Sequence, residues 1–261
     1  MFMDTEIIKE MSRKEKRLDN REANEYRNVK IEKGVVSSAA GSARVTLGDT
    51  KVVAGIKIET GTPFEDSFDE GVLMVAVEFI PFAYSEFESG PPSEESIEFS
   101  RVVDRAIRES KCIDFKKLCI TEGEKVWMIN IDIDVLDNGG NLIDACGLAA
   151  AAALADAKIP DMDEKGKPIY DKRGKESLPM NSIPVSTTFV KIGGSIFSDP
   201  TIYEEDAMDA RLTVGTVEKE GKIFASSMQK GGIKGLTQDE IDKIIGMAEE
   251  KGKELRKLVQ E

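Results

Sequence analysis

Three groups of side chains in this 261-residue chain could do chemistry. Carboxylates form the first: Asp132, Asp134 and Asp137 on one segment, and Glu204, Glu205, Asp206 and Asp209 on another. Asp132 and Asp134 would share a strand face, which suits an oxygen-ligated cation or an acid/base pair. It equally suits the polar side of a half-buried strand, and no clear third ligand stands nearby. The second run could hold a catalytic acid or line a solvated loop. Arginines form the second group. Arg101, Arg105 and Arg108, at helical spacing, could hold a phosphate backbone. They could also lie on a solvated face where Arg105 pairs with Glu109 and Arg101 with Glu98, each pair worth only tenths of a kcal/mol. The third group is Gly139-Gly140, which precedes an apolar run and could cradle a phosphate or simply make a turn.

Other chemistry is excluded by composition. The chain has no histidine, so serine–histidine and cysteine–histidine pairs and histidine-ligated metals cannot be assembled within it. Carboxylates, Lys, Tyr and Cys remain for proton transfer. Cys112, Cys119 and Cys146 are odd in number, lack CxxC spacing and sit in apolar surroundings, so they read as small buried side chains, not a disulfide framework or a zinc site. No metal or cofactor site is assigned. A net charge of −13 is the wrong sign for a lone polynucleotide binder, so any such contact must be a local basic patch. Residues 1–16 mix charges with Ile7, Ile8 and Met11, as a short amphipathic helix does and a signal peptide does not. No apolar run approaches the ~18 residues of a membrane span. The expectation is a cytoplasmic protein with no membrane partner.

The elements that must position these groups follow from hydrophobic periodicity. Val29 to Val36, Ala43 to Leu47 and Lys51 to Ile58 are β-branched runs, with Gly48-Asp49 as a turn, and Val72 to Phe79 is a further strand. From Ser93 to Lys111, Phe99, Val102, Val103, Ala106 and Ile107 form one helical stripe opposite the arginines. Trp127 to Val135 alternates strictly, placing Asn130, Asp132 and Asp134 on the polar side. Ala145 to Ala157 is apolar all round, so it predicts a helix buried at the centre. Residues 160–179 read as an exposed excursion, followed by strands at Ile183 to Lys191, Leu212 to Val217 and Lys222 to Met228. Thr237-Gln238-Asp239-Glu240 is a capping box opening the last helix. Strands and helices in this order give an α+β class, two β-then-α halves with mixed sheets and packed helices. The organisation is an N-terminal helix at 1–16, a first half at 17–180 and a second at 181–261.

Several motifs coincide with those of one family. Arg17-Leu18-Asp19-Asn20-Arg21, Glu25-Tyr26-Arg27, Gly41-Ser42-Ala43-Arg44 and Leu47-Gly48-Asp49-Thr50-Lys51-Val52 resemble the start of the RNase PH family. The Pro-rich loop into Glu98-Phe99-Ser100-Arg101, the strand, turn and Ala-rich helix after Trp127, and the glycine-ended final strands continue the likeness over about residues 17 to 258. Within that family the chain is most similar to non-catalytic RNase PH-like subunits of archaeal exosomes.

That resemblance implies an RNase PH-like fold and a structural, RNA-binding role in 3′-to-5′ RNA degradation. The implied partners are a catalytic RNase PH-like paralogue in a ring of three heterodimers, RNA-binding cap subunits and single-stranded RNA. Catalytic relatives grip inorganic phosphate with a Gly-Ser/Thr-Arg turn, where this chain has Gly140-Asn141-Leu142. They carry arginines where it has Glu94-Glu95, and an acid where Asp209-Ala210-Arg211 ends in a base. Losing the phosphate grip and an acid together implies no catalytic residues of its own and no enzymatic activity, while Arg101, Arg105 and Arg108 would hold RNA beside a partner's site. The alternative is a self-sufficient phosphate-dependent exoribonuclease using Glu205, Asp206 or Asp209 in a shifted arrangement. A metal-dependent hydrolase built on Asp132, Asp134 and Asp137 is a third reading, from outside the family.

Overall fold

The computed structural model describes residues 5–261; the first four residues of the expected N-terminal helix lie outside that range. Helix α1 (Thr5–Ser12) buries Ile8 in a small cluster with Val190, Ile192, Phe197 and Ala207. Strands β1 (Val29–Lys33), β2 (Gly41–Leu47) and β3 (Thr50–Gly61) make an antiparallel meander, and β4 (Val72–Phe79) comes next along the chain. Strand β1 ends before Val36 because Gly34 turns the chain at positive φ. Helix α2 (Glu94–Ser110) is capped by Ser93, whose Oγ accepts from the Ser96 N–H at 3.1 Å. A 3-10 turn at Phe115–Leu118 and the short β5 (Cys119–Thr121) then lead into β6 (Lys125–Asp137). The sheet order is β1-β2-β3-β6-β4, with β5 pairing β6. It is mixed: β4 runs parallel to β6, joined through α2, the crossover that a parallel pair requires.

Strict alternation in β6 does what its pattern predicts. Trp127, Ile129, Ile131, Ile133 and Val135 are buried, while Asp132 is exposed on the open face. Burial of each such side chain contributes about 2 kcal/mol. Helix α3 (Leu142–Asp156) covers this inner face, and every residue from Leu142 to Leu154 is buried. Its far side meets the second sheet. That sheet has the order β10-β9-β11-β12 and is antiparallel throughout, built from β9 (Val185–Ile192), β10 (Ser195–Ser198), β11 (Ala210–Lys219) and β12 (Lys222–Gly231). The alanines of α3 keep its surface low on both sides, so β2 and β3 approach from one side and β9 from the other. Between the halves, residues 160–179 contain almost no regular structure. The exception is Glu176–Ser177 (β8), which pairs with β7 (Lys158–Ile159). Helix α5 (Gln238–Gln260) closes the second sheet, its start fixed by the reciprocal Thr237–Glu240 capping box. The class is α+β.

One element departs from the expectation of a solvated acidic loop after β10. Residues Ile202–Ala207 form helix α4, opened by a second capping box, Thr201 with Glu204. Cys112 and Cys146 are buried as expected, but Cys119 is only half-buried, because β5 sits at the sheet margin.

Candidate nucleic-acid interface and the closed turn beside it

On α2, Phe99, Val102, Val103, Ala106 and Ile107 face inward and turn the arginines outward. Arg101 and Arg105 are exposed, one helical turn apart, and neither has an ion pair among the described residues. The pairs expected for a solvated face are absent. Glu98 is instead drawn to Arg211, 2.6 Å away across to β11, and no bridge joins Arg105 to Glu109. Arg108 differs. Its Nε and Nη2 hold Asp104 at 3.1 and 2.7 Å, and Nη2 also donates to the Leu73 carbonyl at 3.1 Å. Glu94 and Glu95 occupy the first turn of α2, where acids complement the helix dipole.

The turn before α3 is closed by the protein's own groups. Asn141 is fully buried in the left-handed conformation (φ 56°), which asparagine tolerates. Its Nδ2 donates to Asp144 Oδ2 and to Asp199 Oδ1, both at 2.8 Å. Its backbone N–H donates to Glu205 Oε1 at 2.9 Å, so a carboxylate already sits at the helix N-terminus. Leu142 is buried and offers no charge.

The arginines of the leading segment are engaged in the same network. Arg17, buried, grips Glu204 through Nε and Nη2 at 2.8 and 2.6 Å. Arg21 and Arg27 reach Asp199, and Arg27 also donates to the Gly139 and Gly140 carbonyls. Burial would raise the Asp199 carboxyl, but hydrogen bonds and charge from Arg27, with Arg21 behind them, hold it below its ordinary value. Asp144 accepts from Tyr26, Thr188 and Asn141, yet burial outweighs them and raises its pKa to about 6. Glu205 is raised to about 7, first by burial, with Glu95 adding and the Asn141 N–H, Arg211 and Arg27 opposing.

Glu204 is therefore a buried ion-pair partner, and Glu205 is an internal ligand of the turn. Asp209 is held by Lys234 at 2.8 Å and by the Gly193 N–H. A sequence signal for α4 existed: Thr201 and Glu204 stand at the same spacing as Thr237 and Glu240. On the open face of the first sheet, Asp137 pairs with Lys51. Burial and the neighbouring Glu78 and Asp132 raise Asp134. Among the described residues no group of three or more Cys, Asp or Glu side chains could hold a metal ion.

Comparison with known proteins gives this geometry its setting. The chain is 48% identical over 240 residues to the exosome complex component Rrp42 of Methanocella arvoryzae, covering 92% of this chain and 89% of that protein. It is 45% identical over 255 residues to the Rrp42 component of Methanothermobacter thermautotrophicus, covering 94% and 93%. A chain in the structure of the Archaeoglobus fulgidus exosome with RNA bound to the active site superposes with a TM-score of 0.88 at 40% identity, covering 97% of this chain and 96% of that one. Two family models match in order: domain 1 of the 3′ exoribonuclease family over residues 25–160, and domain 2 over 182–251. With both domains present and relatives this similar along nearly its whole length, the chain belongs to the RNase PH-type 3′ exoribonuclease family.

Proposed function

We propose that the chain is a non-catalytic, RNA-binding subunit of an archaeal exosome, pairing with a catalytic RNase PH-like paralogue in a ring of three heterodimers with RNA-binding cap subunits. The relatives' names support the exosome assignment. One observation carries the non-catalytic part. The turn that would receive phosphate holds a buried asparagine engaged by Asp144 and Asp199, a buried leucine, and the Glu205 carboxylate. An incoming phosphate would meet negative charge in a low-dielectric site and no free cation, so the electrostatic positioning on which phosphoryl transfer depends is missing.

Arg101 and Arg105 supply the RNA contact in this reading. Two exposed guanidiniums one turn apart, with no carboxylate partner, form a local positive patch on an acidic protein. Arg108 adds less, because Asp104 shares its charge. The divisions 17–180 and 181–261 serve as the two family halves. No helix among the described residues is long and apolar enough to cross a membrane, and the proposed location is the cytoplasm.

The test is an exoribonuclease assay with a 3′-tailed RNA and inorganic phosphate, using the purified chain alone, with magnesium, and with its paralogue. Turnover should appear only with the paralogue and should weaken when Arg101→Ala and Arg105→Ala are combined. Turnover by the chain alone with phosphate would overturn the proposal, and activity needing metal but not phosphate would point to the aspartates of β6.

A further inference from the structure

A cavity of roughly 420 Å³ opens where residues 181–183, the β11–β12 hairpin and the last turns of α5 meet. Arg256 lines it and is only 3% exposed. Its Nε donates to the Ile183 carbonyl at 2.9 Å and its Nη2 to Thr216 Oγ1 at 3.2 Å. Nη1 forms a long ion pair with Glu218 Oε2 at 3.8 Å, beyond hydrogen-bonding range, and has no hydrogen-bond partner. Leaving a buried charged donor unsatisfied is costly, and native proteins rarely do so without a ligand or other acceptor for it. Ser182 also lines the cavity, and its Oγ is likewise buried without a hydrogen-bond partner. Lys253 and Lys257, one turn apart on α5, stand exposed at its edge, and neither has an ion pair among the described residues.

We infer that this cavity binds a small oxyanion of the phosphate class, held by Arg256 and Ser182 within and by Lys253 and Lys257 at the mouth. Three cations face two carboxylates, Glu218 and Glu220, leaving an excess of positive charge for an anion to neutralise. Guanidinium, hydroxyl and ammonium groups are all donors, and together they match the acceptor oxygens of a phosphate. The arginines of α2 do not line the cavity, so it is separate from the proposed RNA contact and stands or falls independently of it. Free phosphate and the terminal phosphate of a polynucleotide share this chemistry.

Inorganic phosphate titrated into the intact chain at constant ionic strength, followed by calorimetry and by melting temperature, tests the site. Saturable binding is expected, weakened at least tenfold by Lys253→Ala with Lys257→Ala and a few-fold by Ser182→Ala, and unchanged by Arg101→Ala with Arg105→Ala. The lysine pair carries the test because both side chains are exposed, whereas Arg256→Lys could fail by unfolding; circular dichroism checks that each variant is folded. A short oligonucleotide with a 5′-phosphate, compared with its unphosphorylated form, separates the sources: competition by the phosphorylated form alone assigns a tethered phosphate, and none by either assigns the free ion. Absence of saturable phosphate binding, or binding that the lysine substitutions leave unchanged, would overturn the inference.

Discussion

Replacing Asp199 by alanine should be among the most damaging single changes in the molecule. Its carboxylate is fully buried and accepts from Arg21, from the side chain and backbone N–H of Arg27, and from Asn141. Removing it leaves the nearly buried Arg27 guanidinium without its counter-charge and takes an acceptor from the turn that starts α3. Breaking a buried pair from one side costs about 3–5 kcal/mol. At roughly 2–4 °C per kcal/mol for a chain of this size, melting should fall by roughly 6–20 °C. Because Asp199 is held below its ordinary pKa, its contribution is present above the unfolded value near 4 and is lost as pH falls through the lowered native value. The assay is guanidinium unfolding at pH 7 of the parent, Asp199→Ala, Arg27→Met and the double variant. The double variant should lose less than the sum of the single losses, since no orphaned charge remains at Arg27 and Arg21 still has Asp19 at 2.7 Å. A loss below about 1 kcal/mol for Asp199→Ala, or strict additivity in the double variant, would refute the reasoning.

Glu205→Gln should flatten the pH dependence of stability. A carboxyl whose native pKa is raised from 4.5 to about 7 favours the neutral form, so ionisation costs the parent stability as pH rises through that window. The full shift corresponds to about 3 kcal/mol, reduced to about 1–3 by the residue's partial exposure, and urea midpoints at pH 5 and pH 8 would show the slope lost in the variant. Gly140→Ala should cost about 2 kcal/mol or more, because φ is +93° and a methyl group would meet the backbone of Thr201 and Ile202; thermal melting reads the loss. Thr237→Val should destabilise by about 1 kcal/mol through loss of the cap of α5, seen as a small drop in melting temperature with the fold unchanged by circular dichroism.

Much of the architecture was legible because it is written in local patterns. The alternation of Trp127 to Val135 has the period of a strand. The apolar run at α3 has no polar face, so it had to be central, and Thr237 with Glu240 announces α5. Helix α4 carries the same capping signal at Thr201 but is six residues long and has no apolar stripe, so periodicity gave it no support. The arrest of the α3 turn was half legible. Asn141 and Leu142 reveal which groups are missing, while Glu205, 64 residues further on, is what fills the place.

By itself the sequence determined the α+β class, the buried helix, the outward placement of Arg101, Arg105 and Arg108 on α2, and membership of a family. These follow from periodicity and motif, which act over a few residues. Tertiary structure alone decided which charges meet. It paired Arg17 with Glu204 across 187 residues, gave Asp199 to Arg21 and Arg27, and drew Glu98 away from Arg101 to Arg211. Ion pairs depend on distance in space, and spacing along a chain fixes that distance only within a helix or a hairpin.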